Sequence, residues 1–242
     1  CFLALGCVGY RGYFDEAEAR AFADTVRQGE PALEVGVYPV PAYSTLGWTN
    51  WMGGDPLLST FIGYPEGELA RLIFHELAHQ VVYVRDDTVF NESFATAVER
   101  LGGARWQATA SEAARTEYAR FDERRQQFRS LARQTRQALQ DAYALPDRAQ
   151  RLAAKQLAMD GFRAGYQALK QRWNGFAGFD AWANQANNAL FAAQAAYDEL
   201  VPAFEALFER EGRDFARFYD AVRALARLPK DERRAALLVH RL

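Results

Sequence analysis

Apolar residues recur at helical spacing through the second half of this chain. From Trp106 onward Ala, Arg, Gln, Glu and Leu dominate and Gly and Pro are sparse, which favours long amphipathic helices. We predict helices over Ala108–Ala144 and Pro146–Trp173, joined by a short turn into a hairpin. A further helix is predicted over Phe179–Arg210, with a kink at Pro202.

The beginning of the chain predicts both helices and strands. A helix is expected over Ala17–Arg27, after a typical N-cap at Asp15. Residues Leu33–Val40 alternate in part between apolar and polar, which predicts a strand, and 42–48 predicts a second extended segment. The fold class expected from these patterns is α+β, predominantly α-helical.

An uninterrupted helical pattern runs from about residue 66 to residue 84, and it carries the motif H-E-x-x-H. Residues four apart share one face of a helix, so His75 and His79 can both face one metal ion. Glu76 is one position further round, where its carboxylate can reach a water molecule on that metal. The chain has three histidines in all. The alternative is a buried histidine pair that only packs.

A second helix follows and is predicted to end at Gly102–Gly103. It carries Glu92, at the distance where His2Glu zinc sites place their third ligand. Glu99, two turns along the same face, is a candidate carboxylate partner for a ligand histidine, although a solvated surface charge fits equally well. Asn91 either supports the site or caps the helix.

These residues predict peptide hydrolysis. Zinc would lower the pKa of a water molecule, and Glu76 would accept its proton and pass it to the leaving amine. The oxyanion needs a further donor, for which Tyr197 is the first candidate and Tyr43 and Tyr83 are rivals. Any of these tyrosines could instead be an ordinary amphipathic core residue.

An extended substrate could pair with the edge of a sheet above the motif helix. The candidate edge consists of five residues: Tyr43, Ser44, Thr45, Leu46 and Gly47. Two asparagines, Asn187 and Asn188, interrupt an apolar helical stretch. They either contact substrate or make hydrogen bonds between helices.

Composition excludes some classes of partner. Half of the residues are hydrophobic and 14% are aromatic, enough for a sizeable core, and the net charge of −2 gives no electrostatic basis for binding nucleic acid. No apolar run approaches the roughly 20 residues that span a bilayer. The chain opens without Met, which indicates either a truncated or a processed beginning. Cys1 and Cys7 could form a disulfide in an exported protein or be two small buried side chains.

Several short stretches together resemble one family more specifically than H-E-x-x-H does. They are Tyr10–Asp15, Pro41–Trp48, Asp55–Thr60, Glu68–Gln80, Asn91–Thr96, Asn187–Ala189 and Val201–Phe204. This combination resembles the bacterial putative aminopeptidase family of predicted zinc peptidases, of gluzincin type, over nearly the whole chain. The stretch 49–54 is longer than the corresponding link in the family, so substrate preference transfers less readily than the metal site.

The resemblance implies a zincin-like metallopeptidase region over 1–103 and an all-α region over 104–242. It also implies an exported, lipid-anchored protein of the bacterial envelope, membrane-bound only through an anchor that precedes this chain, and it supports the Cys1–Cys7 disulfide. We therefore expect one Zn²⁺, a peptide or protein substrate and aminopeptidase activity. The alternative is a catalytically silent, metal-binding docking or assembly protein. A purely structural zinc site would need a fourth ligand, which the nearby sequence does not offer.

Overall fold

The computed structural model describes residues 11–30, 33–40, 51 and 58–239, and its regular structure there is α-helical. In this part of the chain ten helices follow one another: α1 (Glu16–Gly29), α2 (Glu66–Val81), α3 (Thr88–Gln107), α4 (Glu112–Ala144), α5 (Arg148–Arg172), α6 (Asp180–Asn184), α7 (Asn188–Asp198), α8 (Val201–Arg210), α9 (Phe215–Ala226) and α10 (Lys230–Leu238). None of these described helices is both long enough and apolar enough to pass through a bilayer.

The predicted α+β class is wrong, because the described residues contain no strand. The segment 33–40 was the expected strand, but side chains from helical regions bind its backbone. The carbonyl of Val35 accepts hydrogen bonds from Arg27 at 3.1 Å and from Asn187 at 3.3 Å. Because side chains satisfy this polar group, no neighbouring strand is needed. The second predicted extended segment, 42–48, lies outside the described residues.

The chain forms two compact units that interleave along the sequence. The first unit comprises 1–10, 40–118 and 196–242, and the second comprises 11–39 and 119–195. The predicted division of the chain after residue 103 stays a prediction.

In the first unit, α3 is buried on every side from Phe90 to Val98. Phe90 and Phe94 face a core shared with α8, α9 and α10, where the ring of Phe204 lies 5.1 Å from Phe90 and 5.7 Å from Phe94. Glu92 lies between them in sequence and therefore faces away from that core, towards α2. The packing of Phe90 and Phe94 on one side of α3 thus sets the position of the Glu92 carboxylate on the opposite side.

Close approach of α2 to α3 depends on glycine. Gly102 and Gly103 were expected to end the second helix, but α3 continues through them to Gln107. A Cβ on Gly102 would lie 2.7 Å from the ring of Phe74, and a Cβ on Gly103 would lie 2.6 Å from the hydroxyl of Tyr118. These glycines therefore make room for neighbouring side chains.

The predicted hairpin is present as α4 and α5, with bounds close to those expected, and the second unit contains it from residue 119 onward. Its core is an aromatic cluster in which Phe128 stacks on Phe179 with 4.5 Å between ring centroids. The predicted single helix over 179–210 is instead three helices, with Pro202 in the first turn of α8. A proline is tolerated there because the first turn needs no backbone donor.

Candidate metal centre

The two motif histidines share the buried face of α2. This helix begins after Pro65 and carries Glu66 and Glu68 in its first turn, where acidic side chains complement the helix dipole. His75 and His79 are 9% and 8% exposed, and their ring centroids lie 5.0 Å apart. The i, i+4 spacing thus places both imidazoles on one side of the helix, as the motif predicts.

Glu92, on the first turns of α3, completes a group of three. Its Oε2 atom lies 3.3 Å from Nε2 of His75 and 3.8 Å from Nε2 of His79. One potential ligand atom from each of the three residues lies within 4.8 Å of the other two. Two imidazole nitrogens and a carboxylate oxygen are a donor set that zinc accepts, so this buried group could hold a metal ion.

The charges of the group also suit a cation. Burial lowers the pKa of His75, but the carboxylates of Glu92 and Glu99 outweigh burial and raise that pKa to about 10. Burial, together with the charge of His75, lowers the pKa of His79 to about 4 despite the attraction of Glu92. At neutral pH the imidazole of His75 is therefore protonated and positively charged beside Glu92. A metal ion would replace that positive charge.

Glu99 lies on the other side of His75. Its Oε2 atom is 3.2 Å from Nδ1 of His75, and its Oε1 atom accepts a hydrogen bond from Nε of Arg71 at 2.9 Å. A carboxylate can only accept, so Nδ1 of His75 donates to Glu99, and Nε2, which faces Glu92, can bind a metal once it loses its proton. Sequence reasoning did not single out Arg71. Its position four residues before His75, on the same helical face, is the pattern that could have identified it.

Two further candidates adjoin this group. Glu76 follows His75 on α2 and is half-buried. The ring of Tyr197, at the end of α7, stacks on His75 with 6.0 Å between centroids and 23° between ring planes. Tyr83 is close enough to Glu92 to respond to its charge: burial first, then Glu92, raises the pKa of Tyr83.

Asn91 and Ser93 flank Glu92 and anchor α3 to its surroundings. The Asn91 side chain accepts from the amide of Val84 at 2.8 Å and donates to its carbonyl at 2.7 Å, which fixes the link between α2 and α3. The N-cap of α3 is Asp87. Ser93, which sequence reasoning missed, donates to the Ala196 carbonyl at 3.0 Å, beside Tyr197. Ser93 thereby ties α3 to the segment that carries this tyrosine.

Asn187 and Asn188 make their hydrogen bonds within the second unit. Oδ1 of Asn187 accepts from the amide of Leu190 at 3.1 Å and so caps the start of α7. Asn188 donates to the Tyr143 hydroxyl at 2.6 Å. These contacts join helical segments to one another, and a substrate-binding role for the pair stays a prediction.

Two groups of predicted residues lie outside the described part of the chain. One is the proposed substrate edge, Tyr43 to Gly47, and the other is the cysteine pair, Cys1 and Cys7. Both assignments stay predictions.

Comparison with known proteins agrees with the motifs at the level of the family. A family model described as "Putative aminopeptidase" matches residues 1–237. No curated protein and no solved structure matches the chain. The match extends from the first residues through the motif helix, Glu92 and Tyr197. The chain therefore belongs to the putative aminopeptidase family.

Proposed function

We propose that this protein is a zinc-dependent peptidase that removes residues from the amino terminus of peptides. The observation that carries the proposal is the convergence of His75, His79 and Glu92 in one buried group. Family membership points to a peptidase. These three residues are the metal ligands that a zinc peptidase would need.

Zinc suits this group better than a hard cation does. Two neutral imidazoles and one carboxylate form the three-ligand set typical of catalytic zinc, in which a fourth position stays open. Calcium and magnesium prefer six or more oxygen ligands, which three side chains with two nitrogens do not provide. A structural zinc site would close the fourth position with another His or Cys, and the group of potential ligands in the described residues contains only these three.

Glu76 is the proposed general base. When bound, zinc supplies Lewis acidity that lowers the pKa of a water molecule and polarises the scissile carbonyl. Glu76 accepts the proton of the attacking water and transfers it to the departing amine. Glu76 directly follows His75 on α2, and it is not one of the three potential ligands.

Tyr197 is the proposed hydrogen-bond donor to the developing oxyanion. The stacking of its ring on His75 supports this role. The stacking also restricts the ring, and a pre-oriented donor stabilises a transition state better than a mobile one. Tyr83 is the rival, since it lies near Glu92.

The decisive experiment compares wild type with Glu76→Gln. Glutamine has nearly the same shape but cannot accept the proton, so the variant should retain zinc and lose turnover by at least about 100-fold. Zinc content measured by elemental analysis serves as the control for an intact site. Peptidase activity at the wild-type rate in Glu76→Gln would remove Glu76 from this role.

Aminopeptidase activity can be distinguished from endopeptidase activity by comparing the cleavage of one peptide with a free and with a blocked amino terminus. An aminopeptidase holds the free α-amino group, so acetylation of that group should abolish cleavage. Equal cleavage of both peptides would exclude aminopeptidase specificity and leave the zinc peptidase proposal intact.

Location in the bacterial envelope, with a lipid anchor ahead of this chain, is part of the proposal and rests on the resemblance alone. Fractionation of cells that express the full-length precursor tests it. Recovery in the membrane fraction, with globomycin-sensitive processing, is expected. Recovery in the cytoplasm would overturn it.

A further inference from the structure

A buried arginine lies one turn before the first motif histidine. Arg71 is 3% exposed, on the same face of α2 as His75. A buried guanidinium is costly unless carboxylates and other acceptors satisfy it. Arg71 meets Glu99 through both Nε, at 2.9 Å, and Nη2, and the two groups form an ion pair. Its third nitrogen, Nη1, donates to the Tyr118 hydroxyl at 3.2 Å.

Glu99 divides its two oxygens between Arg71 and His75. Oε1 accepts both hydrogen bonds from Arg71, whereas Oε2 lies 3.2 Å from Nδ1 of His75. Two nitrogens of one planar guanidinium hold Oε1 in place more firmly than a single rotatable ammonium would, and Oε2 is thereby left to face His75. The orientation of Glu99 towards His75 is therefore set from the Arg71 side.

Tyr118 packs against the guanidinium of Arg71. Its ring lies 5.7 Å from the guanidinium carbon and packs against Gly67 and Gly103, where an added Cβ would lie 2.6 Å from Tyr118 atoms. Residues at these positions need to be small for the tyrosine to reach the arginine. The beginning of α4 thus contributes to the surroundings of the metal group through close packing, without reaching the group itself.

We infer that Arg71 is a positioning residue of the metal centre, which holds Glu99 against Nδ1 of His75 and so keeps Nε2 of His75 directed at the metal. The inference rests on the proposed function, because it presupposes that His75 is a ligand. Loss of Arg71 leaves Glu99 free to rotate away from the imidazole, and the ligand then loses its orientation. Carboxylate partners of ligand histidines typically contribute about 10- to 100-fold to metal affinity.

The test is zinc affinity, measured by competition with a chromogenic chelator, on wild type, Arg71→Met and Arg71→Lys. Arg71→Met should weaken zinc binding by about 10- to 100-fold. Arg71→Lys should be intermediate, because lysine retains the charge but loses the paired hydrogen bonds. Arg100→Met is the matched control, since Arg100 follows Glu99 on α3 but pairs with Asp198 and Glu205. This control should bind zinc as wild type does.

A second readout separates positioning from a loss of stability. With Co²⁺ in place of zinc, the visible absorption spectrum reports the geometry of the ligands. The spectrum should change in Arg71→Met and in Glu99→Gln. The variant that carries both substitutions should bind zinc no more weakly than whichever single variant has the lower zinc affinity. Additive losses would mean that Arg71 does not act through Glu99.

Each remaining outcome is decisive. Wild-type zinc affinity and an unchanged cobalt spectrum in Arg71→Met would overturn the inference and leave the proposed function intact. If Arg71→Met does not fold, Arg71→Lys carries the test, because it keeps a buried cation opposite Glu99. Wild-type affinity and spectrum in a folded Arg71→Lys and in Glu99→Gln would then overturn the inference. A wild-type protein that binds neither zinc nor cobalt would overturn the metal site itself and this inference with it.

Discussion

Tyr197 stacks on His75, with ring centroids 6.0 Å apart and ring planes inclined by 23°. The two residues belong to helices that are distant in sequence. Beside this contact, Ser93 of α3 donates a hydrogen bond to the Ala196 carbonyl at 3.0 Å. The motif helix and the end of α7 therefore meet at the candidate metal centre. Tyr197, which the sequence predicts as the oxyanion donor, is therefore in contact with a candidate metal ligand.

Replacement of Tyr197 by Phe is expected to lower kcat by about 100- to 1,000-fold, the usual effect of losing one oxyanion donor. The ring and its stacking on His75 remain, so zinc content should not change. Steady-state kinetics on a free peptide, beside elemental analysis, measures both quantities. Tyr219→Phe is the control, because Tyr219 packs in the core against Phe94 and Phe215. An unchanged kcat in Tyr197→Phe together with a reduced kcat in Tyr83→Phe would transfer the role to Tyr83.

Replacement of Glu92 by Ala is expected to abolish zinc binding at micromolar concentrations. Loss of a ligand should exceed the roughly 10- to 100-fold effect of losing an outer partner. Elemental analysis of protein purified without chelator measures the result, with wild type expected to hold one zinc per chain. Glu209→Ala, at an exposed position of α8, is the matched control. Equal zinc in wild type and Glu92→Ala would place the third ligand elsewhere.

Zinc binding at about pH 8 is expected to release about one proton. The raised pKa of His75, about 10, means that this imidazole is protonated before zinc binds, whereas His79, with a pKa of about 4, is already neutral. Affinity should therefore rise with pH towards the pKa of His75, since fewer protons remain to be displaced. Calorimetry in buffers with different ionisation enthalpies counts the protons. Zinc binding without proton release would contradict this charge assignment, and Glu99→Gln should release fewer protons than wild type.

Replacement of Gly102 by Ala is expected to destabilise the protein by about 1–3 kcal/mol, as overpacking usually does. A Cβ at this position would lie 2.7 Å from the Phe74 ring, so either this ring or the two helices would have to shift. Gly161→Ala, on α5, is the control, because a Cβ there meets nothing within 4 Å. It should stabilise its helix by about 0.5–1 kcal/mol. Thermal unfolding measures both, and a raised Tm in Gly102→Ala would contradict the close packing of α2 on α3.

Helices were predictable from the sequence where the spacing of apolar residues along the chain determines them. The bounds predicted for the hairpin and the motif helix lie within a few residues of α4, α5 and α2, because apolar periodicity and terminal residues act over one or two turns. The shared face of His75 and His79 follows in the same way from helix geometry alone.

The strand expected at 33–40 shows where local reasoning fails. Alternation of apolar and polar residues is compatible with a strand, but strand formation requires a second segment as partner. Here Arg27 and Asn187 bind the carbonyl of Val35 instead. The glycines at 102 and 103 were misread for a related reason: a Gly pair marks a helix end or a close contact, and only the neighbours Phe74 and Tyr118 show that it is the latter.

The sequence by itself determined the donor types, their order along the chain and the helices that carry them, because these depend on residue identity and short-range geometry. Only the tertiary structure decided that Glu92 reaches His75, that Glu99 is held by Arg71, and that Tyr197 stacks on the site. Those contacts depend on how far apart two packed helices lie and how they are rotated. Packing of buried side chains such as Phe94 and Phe204 sets both quantities, and no local pattern records them.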